Sequence, residues 1–288
     1  MPIQPKMINL NCQTNKKFAI LVNTTDSFED CWTPFFTLFK KYWPDYNGKI
    51  YLNTETKYFE FPGLNIISIQ NNKATPSHKI TWSQCLSRAL KAINEEVVLY
   101  MQEDYFLKSD VKNDLVVKFA DLMHDNKNID CIHLTDQAVI PEDVPSDFEG
   151  LYNVKLKQAY RISCQTALWK KETLLKYVRP FENAWQFEKF GSKRAVIYKH
   201  NFFVVDKNWI KLGHFEIIPY VFTGIIQGRW KEEVVTLFEE NNIHIDYAKR
   251  GFHKQSHKRT VKMKLIKKWK TLPIEIKSYI DLIKLKNK

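Results

Sequence analysis

Short apolar runs of strand length alternate with amphipathic helical segments along the first half of the 288-residue chain. Residues 18–22 form one such run, and aromatic residues then recur at helical spacing, namely Trp32, Phe35, Phe36, Phe39 and Trp43. Continuous apolar runs are typical of strands buried on both faces, and strands that alternate with helices are typical of parallel sheets. The pattern predicts an α/β fold with a mostly parallel, twisted sheet and helices on both faces.

The alternation continues to about residue 134 and then weakens. Further strand-like runs cover 49–53, 64–69, 97–101 and 129–134. Thr81 and Gln84 have capping-box spacing and predict a helix that ends near Asn94, and another helix is expected at 114–123. The acidic, turn-rich segment 141–150 is expected to be a surface loop. We interpret 1–248 as one α/β domain and 249–288 as a C-terminal tail.

Cysteine and histidine spacing excludes several kinds of site. The five cysteines are odd in number and contain no CxxC pair, so neither a disulfide framework nor a zinc site is predicted. His133, His200, His214 and His244 show no HxH or HxxxH spacing. The N-terminal residues contain no apolar signal region, and no stretch of eighteen apolar residues occurs, so the sequence predicts a cytoplasmic protein.

Net charge is concentrated in the tail. The chain carries a net charge of +12, and residues 249–288 contain 14 Lys and Arg but only Glu275 and Asp281 as acids, so the body is balanced. After Pro273, an apolar stripe flanked by lysines recurs at helical spacing, formed by Ile276, Tyr279, Ile280 and Ile283. One interpretation is a helix that lies on an anionic membrane surface at the inner face of the membrane, and the other is a helix that packs its stripe on the body.

Polar groups follow four of the predicted strands, where ligands bind in open α/β sheets. These groups are Thr24, Thr25 and Asp26; Asn53 and Glu55; Gln102, Glu103 and Asp104; and Thr135 with Asp136. Adjacent carboxylates repel each other, and Mg²⁺ or Mn²⁺ with a diphosphate would supply the missing positive charge. The alternative is an exposed turn with both carboxylates in water.

The segment EEVVLYMQEDYF, residues 95–106, follows a Trp-containing helix and a β–loop–α opening. In this arrangement the chain resembles the nucleotide-sugar-binding half of GT-A glycosyltransferases, which carry a DxD-type motif after a buried strand. The resemblance covers roughly residues 17–230. It implies a donor half at about 17–136, an acceptor half at about 151–248, a nucleotide-diphosphate sugar as donor, and a divalent metal, Mn²⁺ or Mg²⁺.

The resemblance also implies roles for single residues. Asp104 matches the acid that binds the metal, with Glu103 assisting, while Gln102 departs from the first acid of the motif. The loop residues Thr24, Thr25 and Asp26 would border the nucleotide, with Asn53 and Glu55 beside them. Trp82 is a candidate for stacking on the base, and Arg229 for contact with the leaving diphosphate.

The acceptor half should contain a carboxylate that deprotonates the acceptor hydroxyl, as in inverting members of the family. Glu188 is the first candidate and Glu182 the second, with Trp185 and Trp169 as aromatic surfaces for the acceptor sugar. The alternatives are a helix-capping Glu182 and a surface Glu188 paired with Lys193 or Arg194.

The predicted function is sugar transfer from a nucleotide-diphosphate sugar to a hydroxyl of a glycan or lipid-linked acceptor. The rival hypothesis is a non-catalytic α/β protein whose basic tail binds nucleic acid or a membrane. The balanced charge of the body disfavours nucleic acid as the partner.

Overall fold

The structure, a computed structural model, describes residues 18–135, 139–206, 217–254 and 261–287. Its strands are β1 Ala19–Asn23, β2 Ile50–Asn53, β3 Ile66–Ser68, β4 Val97–Gln102, β5 Cys131–His133, β6 Pro141–Pro145, β7 Leu151–Val154, β8 Ala167–Lys170, β9 Phe202–Val205, β10 Ile225–Ile226 and β11 Arg229–Trp230. Its α-helices are α1 Glu29–Tyr42, α2 Trp82–Ala92, α3 Asn113–Asp125, α4 Lys171–Tyr177, α5 Ala184–Tyr198, α6 Glu233–Glu240 and α7 Val261–Lys286.

Nine of these strands form one sheet in the order β3-β2-β1-β4-β8-β5-β9-β7-β6. The pairs β1–β2, β1–β4, β2–β3 and β5–β9 are parallel, while β8 is antiparallel to both β4 and β5. The strands of the second half therefore extend the sheet of the first half. The predicted α/β fold class, with a mostly parallel sheet, surrounding helices and a C-terminal helix, is confirmed.

Alternation along the central strands divides the core into two layers. Ile20 and Val22 of β1 face a cluster that includes the aromatic side of α1, whereas Ala19 and Leu21 face a cluster with α2, α4 and α5. Successive side chains of a strand point to opposite faces, so a continuous apolar run fills both layers. The run 18–22 is therefore apolar throughout because it lies at the centre of a covered sheet.

Local signals in the sequence agree with the structure at some element ends and not at others. The capping box of Thr81 and Gln84 forms with both of its hydrogen bonds at the start of α2. The segment 141–150, expected to be a loop, instead begins with the edge strand β6. Proline is tolerated on an edge because its missing N–H would have faced solvent.

The four described cysteines, Cys31, Cys85, Cys131 and Cys164, are buried and free, while Cys12 lies outside the described residues. No helix in the described part of the chain is both long and apolar enough to cross a membrane.

Helix α7 packs on α5 and leaves its apolar stripe exposed. Ser278 and Leu282 are buried, whereas Ile276, Ile280 and Ile283 are between 47% and 60% exposed. The residues of the buried face recur at helical spacing, so α7 has two different faces. Three of the four residues of the predicted stripe thus point away from the body, while the fourth, Tyr279, packs against Phe190 of α5 with ring centroids 5.1 Å apart.

Candidate active site

A cleft beyond the carboxyl end of β4 consists of two adjoining cavities. The β4 cavity, of about 400 Å³, is lined in part by Gln102, Ser163 and Thr223. The second, of about 560 Å³, is named the lysine cavity after three of its lining residues, which are Lys157, Lys189 and Lys193. Both cavities share Tyr160, Trp185 and Glu188. Glu188 therefore lies at the junction of two spaces that could each hold part of a substrate.

Helix α5 positions Glu188. The helix begins with a capping box in which the Asn183 side chain accepts from Gln186 N and the Gln186 side chain accepts from Asn183 N. One turn later, Glu188 Oε1 accepts a hydrogen bond from the backbone N–H of Cys164 at 2.8 Å. Burial raises the pKa of Glu188, and the hydrogen bond from Cys164 partly offsets this. A fixed carboxylate with a raised pKa suits proton abstraction.

Asp104 is held against the loop that precedes β10. Its Oδ2 accepts from Thr223 Oγ1 at 2.6 Å and from Ile225 N at 3.2 Å, while Oδ1 is buried without a partner. Gly224 is required here, because a Cβ would lie 2.3 Å from a ring carbon of Phe106. The loop thus packs closely on the end of β4 and fixes the carboxylate of Asp104.

In the segment Gln102-Glu103-Asp104, called the QED segment, the environment disfavours the ionised form of both carboxyl groups. Burial raises the pKa of Glu103 well above its usual value, and the charge of Asp104 raises it further. Burial also raises the pKa of Asp104, against the effect of its hydrogen bonds with Thr223 and Ile225. Pairs of buried carboxyl groups with raised pKa values are often found at functional sites. A bound cation there offsets the free energy that is needed to ionise them.

Glu103 and Asp104 fit a divalent cation that takes most of its ligands from water and from a substrate. In the described ranges, no group of three His, Cys, Asp or Glu side chains converges to form an all-protein metal site. Asp104 Oδ1 is an unpartnered buried oxygen. Asp104 does not itself line the β4 cavity, but Thr223 and Ile225, which donate to its other oxygen, do. Mg²⁺ is usually bound by one or two carboxylates together with waters and substrate phosphates, which matches this donor set.

Asp26 and Glu55 connect two loops beyond the carboxyl ends of β1 and β2. The Asp26 carboxylate accepts from the backbone N–H groups of Glu55 and Thr56, each at 2.9 Å. In return, Asp26 N donates to Glu55 Oε2 at 3.0 Å. The hydrogen bonds of these two predicted donor-site residues shape the edge of the site, and a role in contacting the nucleotide stays a prediction.

Amide side chains form a short ladder across the same strand ends. Asn53 Nδ2 donates to Asn23 Oδ1 at 2.7 Å, and Asn71 Nδ2 donates to Asn53 Oδ1 at 2.6 Å. Thr24 is buried and accepts from Trp32 Nε1 at 2.9 Å, and Thr25 pairs with the Ser27 hydroxyl. The ladder therefore links the buried Asn23 and Asn53 to Asn71 beyond the carboxyl ends of β1 and β2.

Among the described residues, Gln102, Trp185 and Glu188 are the predicted site residues that line either cavity. Four of the others, Glu182, Trp169, Trp82 and Arg229, lie elsewhere in the fold. Glu182 is buried with Arg194, and Trp169 is buried in the core layer that contains α4 and α5, so neither can touch a substrate and neither is retained. Trp82 packs against Phe187 at 5.5 Å between ring centroids. Arg229 is exposed on β11 and does not line the cleft. Asp136 lies outside the described residues.

A hydrogen-bonded network at the cleft was not predicted from the sequence patterns. Tyr105 and Tyr220 are stacked with ring centroids 4.7 Å apart. Gln165 donates to Tyr105 Oη and accepts from Tyr220 Oη, both at 3.0 Å. Tyr105 directly follows the QED segment, which was the one available signal, whereas Gln165 and Tyr220 reach the cleft from distant parts of the chain.

Arg250 was also missed, because its position at the start of the basic tail suggested an appendage. Its guanidinium binds Asp30 of α1 through Nε at 2.6 Å and through Nη2 at 2.5 Å. It also donates to Ser27 O and lies 4.4 Å from the ring centroid of Phe28. Arg250 therefore belongs to the body and holds the first β–α loop in place.

Comparison with known proteins yields similar structures only. No protein-family model matches the chain. A search of the curated proteins finds no match. Similar solved structures include a fragment of S. aureus TarS, with 16% identity and a TM-score of 0.45 over 81% of this chain and 68% of that chain. The chain covers 41% of a longer TarS structure.

M. tuberculosis glucosyl-3-phosphoglycerate synthase is also similar, with 11% identity and a TM-score of 0.44 over 87% of this chain and 92% of that one. Its complex with Mn²⁺, UDP and glucosyl-3-phosphoglycerate matches with 10% identity and a TM-score of 0.39, over 80% of this chain and 82% of that one. With TM-scores below 0.5, these similarities establish neither the activity of this chain nor its substrates.

Proposed function

We propose that this chain is a glycosyltransferase that moves a sugar from a nucleotide-diphosphate sugar to a hydroxyl of a glycan or lipid-linked acceptor, with inversion. The observation that carries the proposal is the position of Glu188 between two cavities, where it is half-buried and oriented by Cys164. The donor would occupy the β4 cavity, next to Gln102 and Asp104. The acceptor would lie in the lysine cavity, against Trp185.

In the proposed reaction, the acceptor hydroxyl attacks the anomeric carbon of the donor sugar while Glu188 takes the hydroxyl proton. A new carbon–oxygen bond forms on one face of the sugar, and the bond to the diphosphate breaks on the other, so the diphosphate leaves with the electron pair. The aromatic walls formed by Trp185 and Tyr160 would exclude water from the reacting centre. Transfer of this kind passes through a transition state with oxocarbenium character.

Asp104 is the residue we propose for a divalent ion, with Glu103 as the second acid. Such an ion supplies positive charge to the departing diphosphate. A bound cation would also relieve the cost of keeping both acids ionised in a buried position, a cost seen in their raised pKa values.

The Asp104→Asn variant is expected to bind the donor at least about tenfold more weakly in the presence of Mn²⁺, since a charge-assisted contact contributes about 1.5–3 kcal/mol. Calorimetry with the nucleotide sugar that a donor panel identifies measures this change. The free energy of unfolding of this variant should be no lower than that of the unchanged chain. Asparagine can still accept a hydrogen bond from Thr223, and the substitution removes a costly buried charge. The exposed Asp110→Asn variant is the matched control, and equal donor affinity in all three proteins would exclude Asp104 from the site.

We also propose that α7 attaches the protein to an anionic membrane surface. Its solvent-facing side carries exposed apolar residues at helical spacing, namely Trp269, Leu272, Ile276, Ile280 and Ile283. The two acids of the tail both face the body, where Glu275 lies 3.1 Å from Lys189 and Asp281 lies 2.8 Å from Arg179. The tail therefore presents apolar side chains outward, and Lys277, Lys284 and Lys286 are exposed beside them, a combination that fits an anionic bilayer.

A triple Ile276→Gln, Ile280→Gln and Ile283→Gln variant tests this proposal. It should bind vesicles of phosphatidylcholine and phosphatidylglycerol about 100-fold more weakly than the unchanged chain, since each interfacial isoleucine contributes about 1 kcal/mol. Sedimentation with the vesicles at low salt measures binding. The control is Ile140→Gln with Val144→Gln, which removes exposed apolar side chains elsewhere. Equal sedimentation of both variants, or none by the unchanged chain, would contradict a membrane contact.

A further inference from the structure

The cations of the cleft all lie on one side of Glu188. The lysine cavity is lined by Lys157, Lys189 and Lys193, whereas the β4 cavity has neither Lys nor Arg among its described lining residues. Glu188 is the one acid among the described residues that line the lysine cavity. The lysines thus line a different cavity from Thr223 and Ile225, the residues that bind Asp104.

Two of these lysines are already held in place. Lys193 donates to Tyr279 Oη at 3.0 Å, and its Nζ lies 4.5 Å from the Tyr279 ring centroid and 5.5 Å from that of Phe190. Lys189 forms an ion pair with Glu275 at 3.1 Å and lies over Phe190 at 5.1 Å. An ammonium group has three donors, so each can still bind an anion. Because these contacts restrict the side chains, less conformational entropy remains to be lost on binding.

Aromatic surfaces complete the lysine cavity. Trp185 is 75% exposed, and an indole with so little contact to its own protein offers a surface for a sugar ring. Tyr160, across the cavity, has a φ of 61°, a left-handed conformation that is uncommon for a residue with a side chain. Strained backbone at a ligand-lining position is typical of functional sites.

Resting on the proposed function, we infer that the acceptor carries a negatively charged group, a phosphate or a carboxylate, which Lys157 and Lys193 bind while its sugar ring lies against Trp185. The lysines are too one-sided to serve the donor diphosphate, because Gln102 lines the other cavity, together with Thr223 and Ile225, which bind Asp104. A neutral acceptor would gain no charge-assisted contact from Lys157 and Lys193, which are exposed to water when no acceptor is bound. The site thus selects anionic acceptors over neutral ones.

The test uses a double variant that combines Lys157→Gln and Lys193→Gln. The control is Lys91→Gln, which changes an exposed lysine elsewhere. Ligand-observed NMR titrations use three probes, which are glucose 6-phosphate, glucuronate and glucose. The double variant should bind at least one anionic probe about tenfold more weakly and glucose unchanged, because a charge-assisted hydrogen bond is lost. A loss for glucose 6-phosphate alone indicates a phosphate on the acceptor, and a loss for glucuronate alone indicates a carboxylate.

Several results would overturn the inference. One is that the double variant binds both anionic probes as tightly as the unchanged chain does, and another is that it loses as much affinity for glucose as for those probes. A third is that it loses affinity for the nucleotide-sugar donor, which would assign the lysines to the donor. Donor hydrolysis with Mn²⁺ is measured on the same variants. If the double variant hydrolyses the donor normally and binds the probes normally, the inference of an anionic acceptor is rejected while the proposed glycosyltransferase activity still stands. If the unchanged chain does not turn over any donor, the proposed activity itself is rejected.

Discussion

The Glu188→Gln variant is expected to release nucleoside diphosphate from the donor about 10²- to 10⁴-fold more slowly than the unchanged protein, the range for loss of a general base. Glutamine has nearly the same shape and can still accept from Cys164 N, so the loss would come from the missing basic oxygen. Donor affinity should stay the same, because the carboxylate acts in the transition state. Turnover is measured with the donor identified from a panel of nucleotide sugars with Mn²⁺.

The pH dependence gives a second measurement of the same role. Burial raises the pKa of Glu188 above 4.5, so the basic form is lost, and the rate falls, as the pH is lowered through a value higher than that of an ordinary glutamate. Saturating donor and Mn²⁺ keep the titration of Asp104 from contributing. In the Glu188→Gln variant, the residual rate should not show the decrease at low pH that protonation of Glu188 causes in the unchanged protein. A variant with normal turnover would remove Glu188 from the reaction.

The Glu182→Gln variant is expected to lose about 3 kcal/mol of unfolding free energy, because breaking a buried ion pair leaves an uncompensated charge. Both side chains of the Glu182–Arg194 pair are fully buried, and Glu182 binds Arg194 at 2.9 Å and 2.5 Å. Asp281, 3.6 Å from Arg194, keeps part of the compensation, so the loss should fall near the lower end of the range for such pairs.

Denaturant unfolding measures this loss of stability. The matched control is Glu172→Gln, which removes an exposed carboxylate 3.7 Å from Lys171 and should change the free energy of unfolding by less than about 1 kcal/mol. Equal stability of Glu182→Gln and Glu172→Gln would show that the buried pair does not support the fold. At a temperature where it remains folded, Glu182→Gln should turn over donor normally, in contrast to Glu188→Gln.

Strand and helix periodicity predicted the fold well in the first half of the chain. There, buried strands such as 97–101 must be apolar on both faces and α2 opens with its own cap, so local sequence carries most of the information. The edge strand β6 was not predicted, because its pairing partner β7 determines it more than its own prolines do. Local patterns therefore identify central elements better than peripheral ones.

The site was predictable where it follows a strand and unpredictable where it depends on packing. Gln102 and Asp104 were predicted because the carboxyl end of β4 must open to the ligand edge of the sheet, and Gln102 does line the cleft, while the roles of both residues stay predictions. Glu182 and Glu188 look alike in sequence, six residues apart and near aromatics. Only the structure separates them, since Arg194 lies beneath the first and an open cleft beside the second.

Helix α7 also has a consequence for the order in which the molecule completes its fold during translation. The Ser278 hydroxyl donates to Glu182 Oε1 at 2.8 Å from a position 96 residues further along the chain. While the ribosome is still adding those residues, Glu182 and Arg194 have only each other and the nearby Tyr177 carbonyl, and one side of the pair is open to water. We therefore expect nascent chains that stop before α7 to be trapped by chaperones and cleaved by proteases, and chains that include it to resist both.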